Sequence, residues 1–225
     1  ARIVSEVIFP VYVKMRDNVE ALNRNFARSL QYVSLVTIPM GLGIALTAEP
    51  FVMTFFTDKW VEAIPVIRAI AIYALLLSLF RNAGSFYKAQ GRPEVLTYLT
   101  IVRLAILLPG LWFALSRYHS IVAVAWVQAI VAFISGILSL TVAARMFHIS
   151  SKEILVQFVP GTISGILMAA AVMGLLYLIA GWPPLAQLSL AVLTGAVVYV
   201  GTLYAQGPQR MRDLVGVIRN SVKRS

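Results

Sequence analysis

The 225-residue sequence contains no cysteine, which excludes a disulfide framework and any metal or nucleophile site built from thiolates. Acidic residues are also scarce, nine in all, and they are scattered at the ends of apolar segments instead of being paired. Acid–base catalysis usually needs two positioned carboxylates, or a histidine with a partner. A glycine-rich phosphate loop leading into a helix is absent too. The sequence therefore predicts no enzyme, no catalytic residue, no metal site and no cofactor.

Charge of either sign is rare, whereas apolar residues are abundant. Only 12% of the residues are charged and 60% are hydrophobic, while about a quarter of a soluble domain is charged. A soluble core of this length does not need so much apolar surface, so we expect an all-α, polytopic membrane helix bundle. The net charge of +10 does not indicate a nucleic-acid partner, because most of the cations lie between apolar segments.

Six apolar segments are long enough to cross the roughly 30 Å core of a bilayer. They are predicted at Leu30–Phe56, Ile64–Ala89, Val95–Ser116, Ser120–Phe147, Ile154–Ala180 and Leu185–Ala205. Pro39, Gly41 and Gly43 predict a kink or a close helix approach in the first span. His119 and His148 flank the fourth span and are predicted on opposite membrane sides, so they cannot share a metal ion.

The predicted organisation has five parts. Residues 1–13 form the tail of a truncated membrane helix, and residues 14–29 form a cytoplasmic amphipathic linker on the membrane surface. Residues 30–147 hold four spans, residues 148–206 two additional spans, and residues 207–225 a basic cytoplasmic tail. Because the chain begins at Ala1 within an apolar stretch, without an initiator methionine, we expect a fragment or the later part of a longer protein.

The distribution of Lys and Arg predicts the orientation of the spans. One set of connections, with both flanking segments, carries thirteen cations, whereas the opposite set carries only Lys59 and Arg117. Cytoplasmic loops are enriched in Lys and Arg. We therefore expect a multi-pass protein of the cell inner (cytoplasmic) membrane with a cytoplasmic C-terminus.

Cations inside the spans are the candidate functional residues. Arg103 lies about eight residues beyond the cytoplasmic start of its span, roughly 12 Å deep, where a charge facing lipid is costly. Arg81 and Lys88 are seven residues apart, so on one continuous helix they share a face with Ser85. The alternative is that this helix ends near Arg81 and a surface loop follows.

Arg68 is a fourth candidate, which either reaches the membrane surface or pairs with Glu62. Cations that line a membrane cavity favour an anionic headgroup, such as a phosphate or a pyrophosphate. We therefore predict Arg103, Arg81, Lys88 and Arg68 as substrate-binding cavity cations.

Five runs of the sequence resemble, in order and spacing, the polysaccharide (oligosaccharide-lipid) flippase family of the multidrug/oligosaccharidyl-lipid/polysaccharide exporter superfamily. These runs are Phe9–Tyr12 (FPVY), Arg28–Gly43 (RSL to TIPMGLG), Ala48–Val52 (AEPFV), Asp58–Arg68 (DKWVEAIPVIR) and Ala89–Pro93 (AQGRP). Many relatives have a glycine in the turn where this chain has Thr57 to Trp60. Beyond Ser150 the resemblance is one of hydropathy alone.

The resemblance implies a fold of fourteen helices, in which two six-helix lobes surround a central cavity and two helices follow. This chain would be most of the second lobe with the last two helices, and its partner would be the missing N-terminal lobe of the same protein. The implied function is the flipping of a lipid-linked saccharide, a polysaccharide or O-antigen-type repeat unit, by alternating access. The alternatives are a drug or small-molecule exporter of the same superfamily, a membrane-embedded saccharide polymerase or ligase, and a membrane anchor or assembly subunit.

Overall fold

All regular secondary structure in the described part of the chain is helical. A computed structural model describes the backbone of residues 19–207 and the side chains of residues 23–207 other than Asn82 and Ala89. These residues contain no β-strand. The predicted helix tail (1–13), the beginning of the predicted linker and almost all of the basic tail lie outside the described residues.

Seven α-helices and one 3-10 turn make up the described residues. In chain order they are α1 (Val19–Phe55), the 3-10 turn (Asp58–Ala63), α2 (Ile64–Phe80), α3 (Asn82–Ala89), α4 (Glu94–Tyr118), α5 (Ile121–Met146), α6 (Ser151–Leu178) and α7 (Pro184–Ala205). Six stretches are long and apolar enough to cross a membrane, the second of them running from Asp58 to Lys88 through α2 and α3. The predicted all-α polytopic membrane bundle is confirmed.

Helix α1 lies at the centre of the bundle. It packs against α2 on one side and against α6 and α7 on the other, while α5 packs on α2 and α4 packs on α5. Among the described residues, no Cα atom of α2 comes within 8 Å of a Cα atom of α4. The two helices are therefore held apart over α5, and this separation creates the space described below.

Small residues allow the close approaches in this arrangement. A Cβ atom on Gly41 would lie 2.6 Å from the Cβ atom of Leu75 on α2, and one on Gly165 would lie 2.5 Å from Cγ2 of Ile38 on α1. Either distance is too short for two carbon atoms, so both contacts need glycine. The close approach predicted near Pro39 is confirmed at Gly41, whereas Gly43 has no neighbour within 4 Å.

Two features differ from the sequence-based expectation. The second span is interrupted at Arg81, where the backbone N–H of Gly84 bonds to the carbonyl of Arg81 at 3.1 Å, and the short helix α3 follows in place of a surface loop. Residues 19–29 continue directly into the first span as part of α1. Phe26 and Leu30 are fully buried within the protein, because α3 packs over them.

Candidate functional site

A cavity of about 550 Å³ lies between α2, α3 and α4, with α5 as its floor. Arg81, Lys88 and Arg103 all line it, together with Ser85. We call it the cationic cavity. Three of the four cations predicted from the sequence are thus brought together in one place: Arg81 between α2 and α3, Lys88 on α3 and Arg103 on α4.

Helix α3 presents its polar side to this cavity because its apolar side is anchored in the protein. Phe86 and Tyr87 are fully buried. The ring of Phe86 stacks on that of Phe26 at a centroid distance of 4.3 Å and meets the edge of Phe147 at 4.7 Å. The hydroxyl of Tyr87 donates a hydrogen bond of 2.6 Å to the carbonyl of Ser139 on α5. With this side fixed, Ser85 and Lys88 face the cavity.

The electrostatic character of the cavity is strongly positive. No acidic residue is found among its lining residues in the described part of the chain. Arg103 is half-buried, and its Nη2 donates to the hydroxyl of Tyr73 on α2 at 3.2 Å, which bridges the gap between α4 and α2. Three cations that line one cavity create a field that attracts anions. The arrangement suits a phosphate or diphosphate group.

The floor of the cavity was not predicted from the sequence. It is formed by Ala132, Ser135, Gly136 and Ser139 of α5. A Cβ atom on Gly136 would lie 2.0 Å from Cδ2 of Phe80, so glycine is what lets this ring lie on the floor. Ser135 and Ser139 lie one turn apart in an uncharged span, and this spacing could have indicated the polar floor. No pattern in the sequence indicated Tyr73, because its bond to Arg103 depends on where α4 lies.

Arg68 does not line the cationic cavity. Its Nη2 donates to Oε2 of Glu49 on α1 at 2.8 Å, so its carboxylate partner is Glu49 and not Glu62. The reason is geometric, since Glu49 lies on the helix that packs along α2. The pair lines a second cavity of about 730 Å³ between α1, α2, α5, α6 and α7, which also contains Trp126 and Trp182. We call it the tryptophan cavity.

Comparison with known proteins shows similarity to polysaccharide biosynthesis proteins. Residues 1–65 match the model of a family described as polysaccharide biosynthesis protein. The matches support the polysaccharide flippase-type family predicted from the sequence. The matched residues include all of α1 and end at the start of α2. The cationic cavity, which begins at Leu77, lies beyond the part that matches the polysaccharide biosynthesis family model.

Several curated members of this polysaccharide group are similar to the chain. The teichuronic acid biosynthesis protein TuaB of Bacillus subtilis is 30% identical over 134 residues, which are 59% of this chain and 27% of the relative. The lipopolysaccharide biosynthesis protein WzxC of Escherichia coli is 28% identical over 109 residues, 48% of this chain and 22% of the relative. The succinoglycan biosynthesis transport protein ExoT of Rhizobium meliloti is 26% identical over 100 residues, 44% of this chain and 20% of the relative.

The chain therefore spans about a quarter of the length of the polysaccharide proteins it matches. Their names refer to polysaccharide biosynthesis and to transport, and the six apolar helices described here make this chain a multi-pass membrane protein. Within the described residues, no group of three or more His, Cys, Asp or Glu side chains is placed to hold a metal ion.

Proposed function

We propose that this chain is part of a membrane transporter that flips a lipid-linked saccharide across the cytoplasmic membrane. The observation that carries the proposal is the convergence of Arg81, Lys88 and Arg103 on one cavity that has no acidic residue among its described lining residues. In this proposal, the cations bind the phosphate or diphosphate that joins the lipid to the saccharide. The relatives named for polysaccharide biosynthesis and transport support it.

The transport step is alternating access between two lobes. In this proposal the first four described spans belong to one lobe and the last two are additional helices. The lobe that closes against the first would be the N-terminal lobe of the same protein. The thirteen cations of one set of connections support a cytoplasmic C-terminus. In this orientation Arg81 and Lys88 lie in the cytoplasmic half of the cationic cavity. The substrate headgroup then enters the cavity from the leaflet in which lipid-linked saccharides are assembled.

A drug exporter is disfavoured by the same cavity. Many exported drugs are cations, which need a carboxylate partner inside the membrane. The cationic cavity offers three positive charges and no acidic lining residue within the described chain. A polymerase or a ligase would need an acid–base pair, which this cavity does not supply.

The test is the substitution Arg103→Ala in the full-length protein, expressed in cells that lack their own exporter. Loss of a charge-assisted hydrogen bond corresponds to a decrease of about tenfold or more in binding, so surface polysaccharide is expected to fall to a similar extent. Lipid-linked saccharide facing the cytoplasm should accumulate, and Arg103→Lys should restore part of the export.

The matched control is Arg117→Ala, since Arg117 is on the same helix and is exposed away from the cavity. It is expected to leave export unchanged. Normal export by Arg103→Ala at an unchanged protein level, measured by immunoblotting of membranes, would contradict the proposed role of the cationic cavity.

A further inference from the structure

The tryptophan cavity is separate from the cationic cavity and lies on another side of α2. Arg68 and Ile72 line the tryptophan cavity, whereas Leu77 and Phe80 line the cationic one. Arg68 and Leu77 are nine residues apart, which on an α-helix places them about half a turn from each other. The two cavities also lie toward opposite ends of the bundle, since one contains the start of α7 and the other contains α3 and the first turns of α4. They are two distinct sites.

The two cavities differ in net charge. Glu49 and Arg68 are the charged lining residues of the tryptophan cavity in the described chain, so its net charge is zero. Their side chains remain 59% and 44% exposed in spite of the ion pair. A guanidinium has five N–H donors and a carboxylate has two acceptor oxygens, and the bond between them uses one of each. The remaining donors and acceptors suit a ligand that offers both, as a sugar hydroxyl does.

Two indole rings line the same cavity as this ion pair. Trp126 stands near the start of α5 and Trp182 in the turn between α6 and α7, and both are about half exposed. The turn is held in place by Gln187, whose Nε2 donates to the carbonyls of Ala180 at 3.1 Å and Trp182 at 2.9 Å. Trp182 is therefore positioned by hydrogen bonds. An indole ring presents a flat apolar face with one polar N–H, which matches the C–H face and hydroxyl rim of a pyranose ring.

We propose that the tryptophan cavity is a saccharide-binding site, which takes uncharged sugar units through stacking on Trp126 and Trp182 and through hydrogen bonds to Glu49 and Arg68. Its volume of about 730 Å³ is within the range of about 300–1,000 Å³ that is usual for ligand sites. The mixture of apolar walls and few polar groups is the composition such sites have. The site binds the saccharide part of a substrate and does not need the anion-binding role of the cationic cavity.

The experiment uses the purified full-length protein in detergent and three neutral trisaccharides, one of glucose, one of mannose and one of galactose. Saturation-transfer-difference NMR reports whether protons of the sugar lie against the protein, and a titration gives the dissociation constant. We expect saturable transfer to the C–H protons of at least one trisaccharide. A charged trisaccharide of galacturonic acid is expected to bind less well, because its carboxylates would lose hydration in a cavity that has no net positive charge to compensate them.

Variants locate the binding. Trp126→Ala and Trp182→Ala are each expected to weaken binding about tenfold, and the Phe variants to recover much of it. Glu49→Gln should also weaken binding about tenfold. The matched control is Trp112→Ala, since Trp112 is exposed on α4 and lies outside both cavities. Circular dichroism checks the helical content, and the Phe variants decide the matter if an Ala variant does not fold.

The experiment tests the proposed anion site and the proposed saccharide site separately. Arg103→Ala should weaken binding of inorganic pyrophosphate and leave trisaccharide binding unchanged. The absence of saturable transfer to all three neutral trisaccharides would overturn the saccharide site, as would transfer that persists when both tryptophans are replaced by alanine. Loss of pyrophosphate binding alone would leave the saccharide site standing.

Discussion

The hydroxyl of Tyr199 on α7 donates a hydrogen bond of 2.7 Å to the carbonyl of Leu35 on α1. This carbonyl is four residues before Pro39, which has no N–H to donate to it. The interior of α1 therefore contains an acceptor without a helical partner, and α7 supplies the missing donor. The proline is tolerated in the centre of the bundle because a residue 164 positions away satisfies the group that it leaves open.

Replacement of Tyr199 by phenylalanine should therefore destabilise the protein. The variant keeps the ring but leaves the buried carbonyl of Leu35 without its side-chain donor, at a cost of about 1–2 kcal/mol. Thermal unfolding in detergent, followed by circular dichroism, measures the change. Tyr204→Phe is the control, because Tyr204 lies on the same helix and is exposed. Equal effects of the two substitutions would contradict this account.

The two glycines Gly165 and Gly174 of α6 should respond in opposite ways to alanine. A Cβ atom at Gly165 would lie 2.5 Å from Cγ2 of Ile38, so Gly165→Ala forces α6 away from α1. Overpacking of this kind costs about 1–3 kcal/mol. Gly174 has no neighbour within 4 Å, and Gly174→Ala should be neutral or slightly stabilising because alanine is the better helix former.

The unfolding temperatures of the two variants, measured in the same detergent, show whether helix packing or helix propensity determines the effect of alanine at each position. If Gly165→Ala is as stable as Gly174→Ala, the contact between α6 and α1 is looser than the structure describes.

Hydropathy and spacing were sufficient to predict much of the fold. Each of the six spans is an apolar run long enough to cross a bilayer, so its existence could be read locally. The shared side of Arg81 and Lys88 followed from their separation of seven residues, and the short interruption at Arg81 did not destroy it. Sequence reasoning also found Arg103, because a cation so deep in a span needs a polar surrounding.

The partners of these residues could not be predicted in the same way. The bond from Tyr199 to Leu35, the ion pair of Arg68 with Glu49 and the bond from Arg103 to Tyr73 join different helices. Hydropathy predicts which segments enter the membrane, but it does not predict which of these segments pack against each other. For the same reason Phe26 was expected at the membrane surface, whereas it is covered by α3.

The hydrogen bond between Arg103 and Tyr73 leads to a prediction about transport. Tyr73→Phe removes the acceptor for Nη2 of Arg103 but leaves the charge in the cavity. We expect a reduction of export of about two- to fivefold, smaller than the effect of Arg103→Ala, because one neutral acceptor contributes about 0.5–1 kcal/mol. Surface polysaccharide in cells expressing the full-length variant measures it.

Tyr98→Phe is the matched control for this variant, since Tyr98 lies on α4 and is exposed outside the cavity. An effect of Tyr73→Phe as large as that of Arg103→Ala would show that the position of the guanidinium matters as much as its charge. Unchanged export would show that Tyr73 does not position Arg103.

The shape of the cationic cavity should depend on Gly136. A methyl group there would fall 2.0 Å from Cδ2 and 2.3 Å from Cγ of the Phe80 ring, which lines the same cavity. The ring can escape only by rotating or by moving α2, and either movement changes the space beside Arg81. We expect Gly136→Ala to reduce export at least about tenfold, because misplaced groups around a bound phosphate lose charge-assisted hydrogen bonds.

Gly84→Ala provides the matched control, because Gly84 lines the same cavity and its new methyl group would meet Cδ2 of Leu96 at an ordinary 3.4 Å. It should export normally. Binding of inorganic pyrophosphate to the purified full-length protein distinguishes the cause, since a displaced Phe80 weakens binding in Gly136→Ala while the helical content stays the same. If Gly136→Ala binds pyrophosphate and exports as Gly84→Ala does, the ring of Phe80 has room to move, and the floor of the cavity does not shape the anion site.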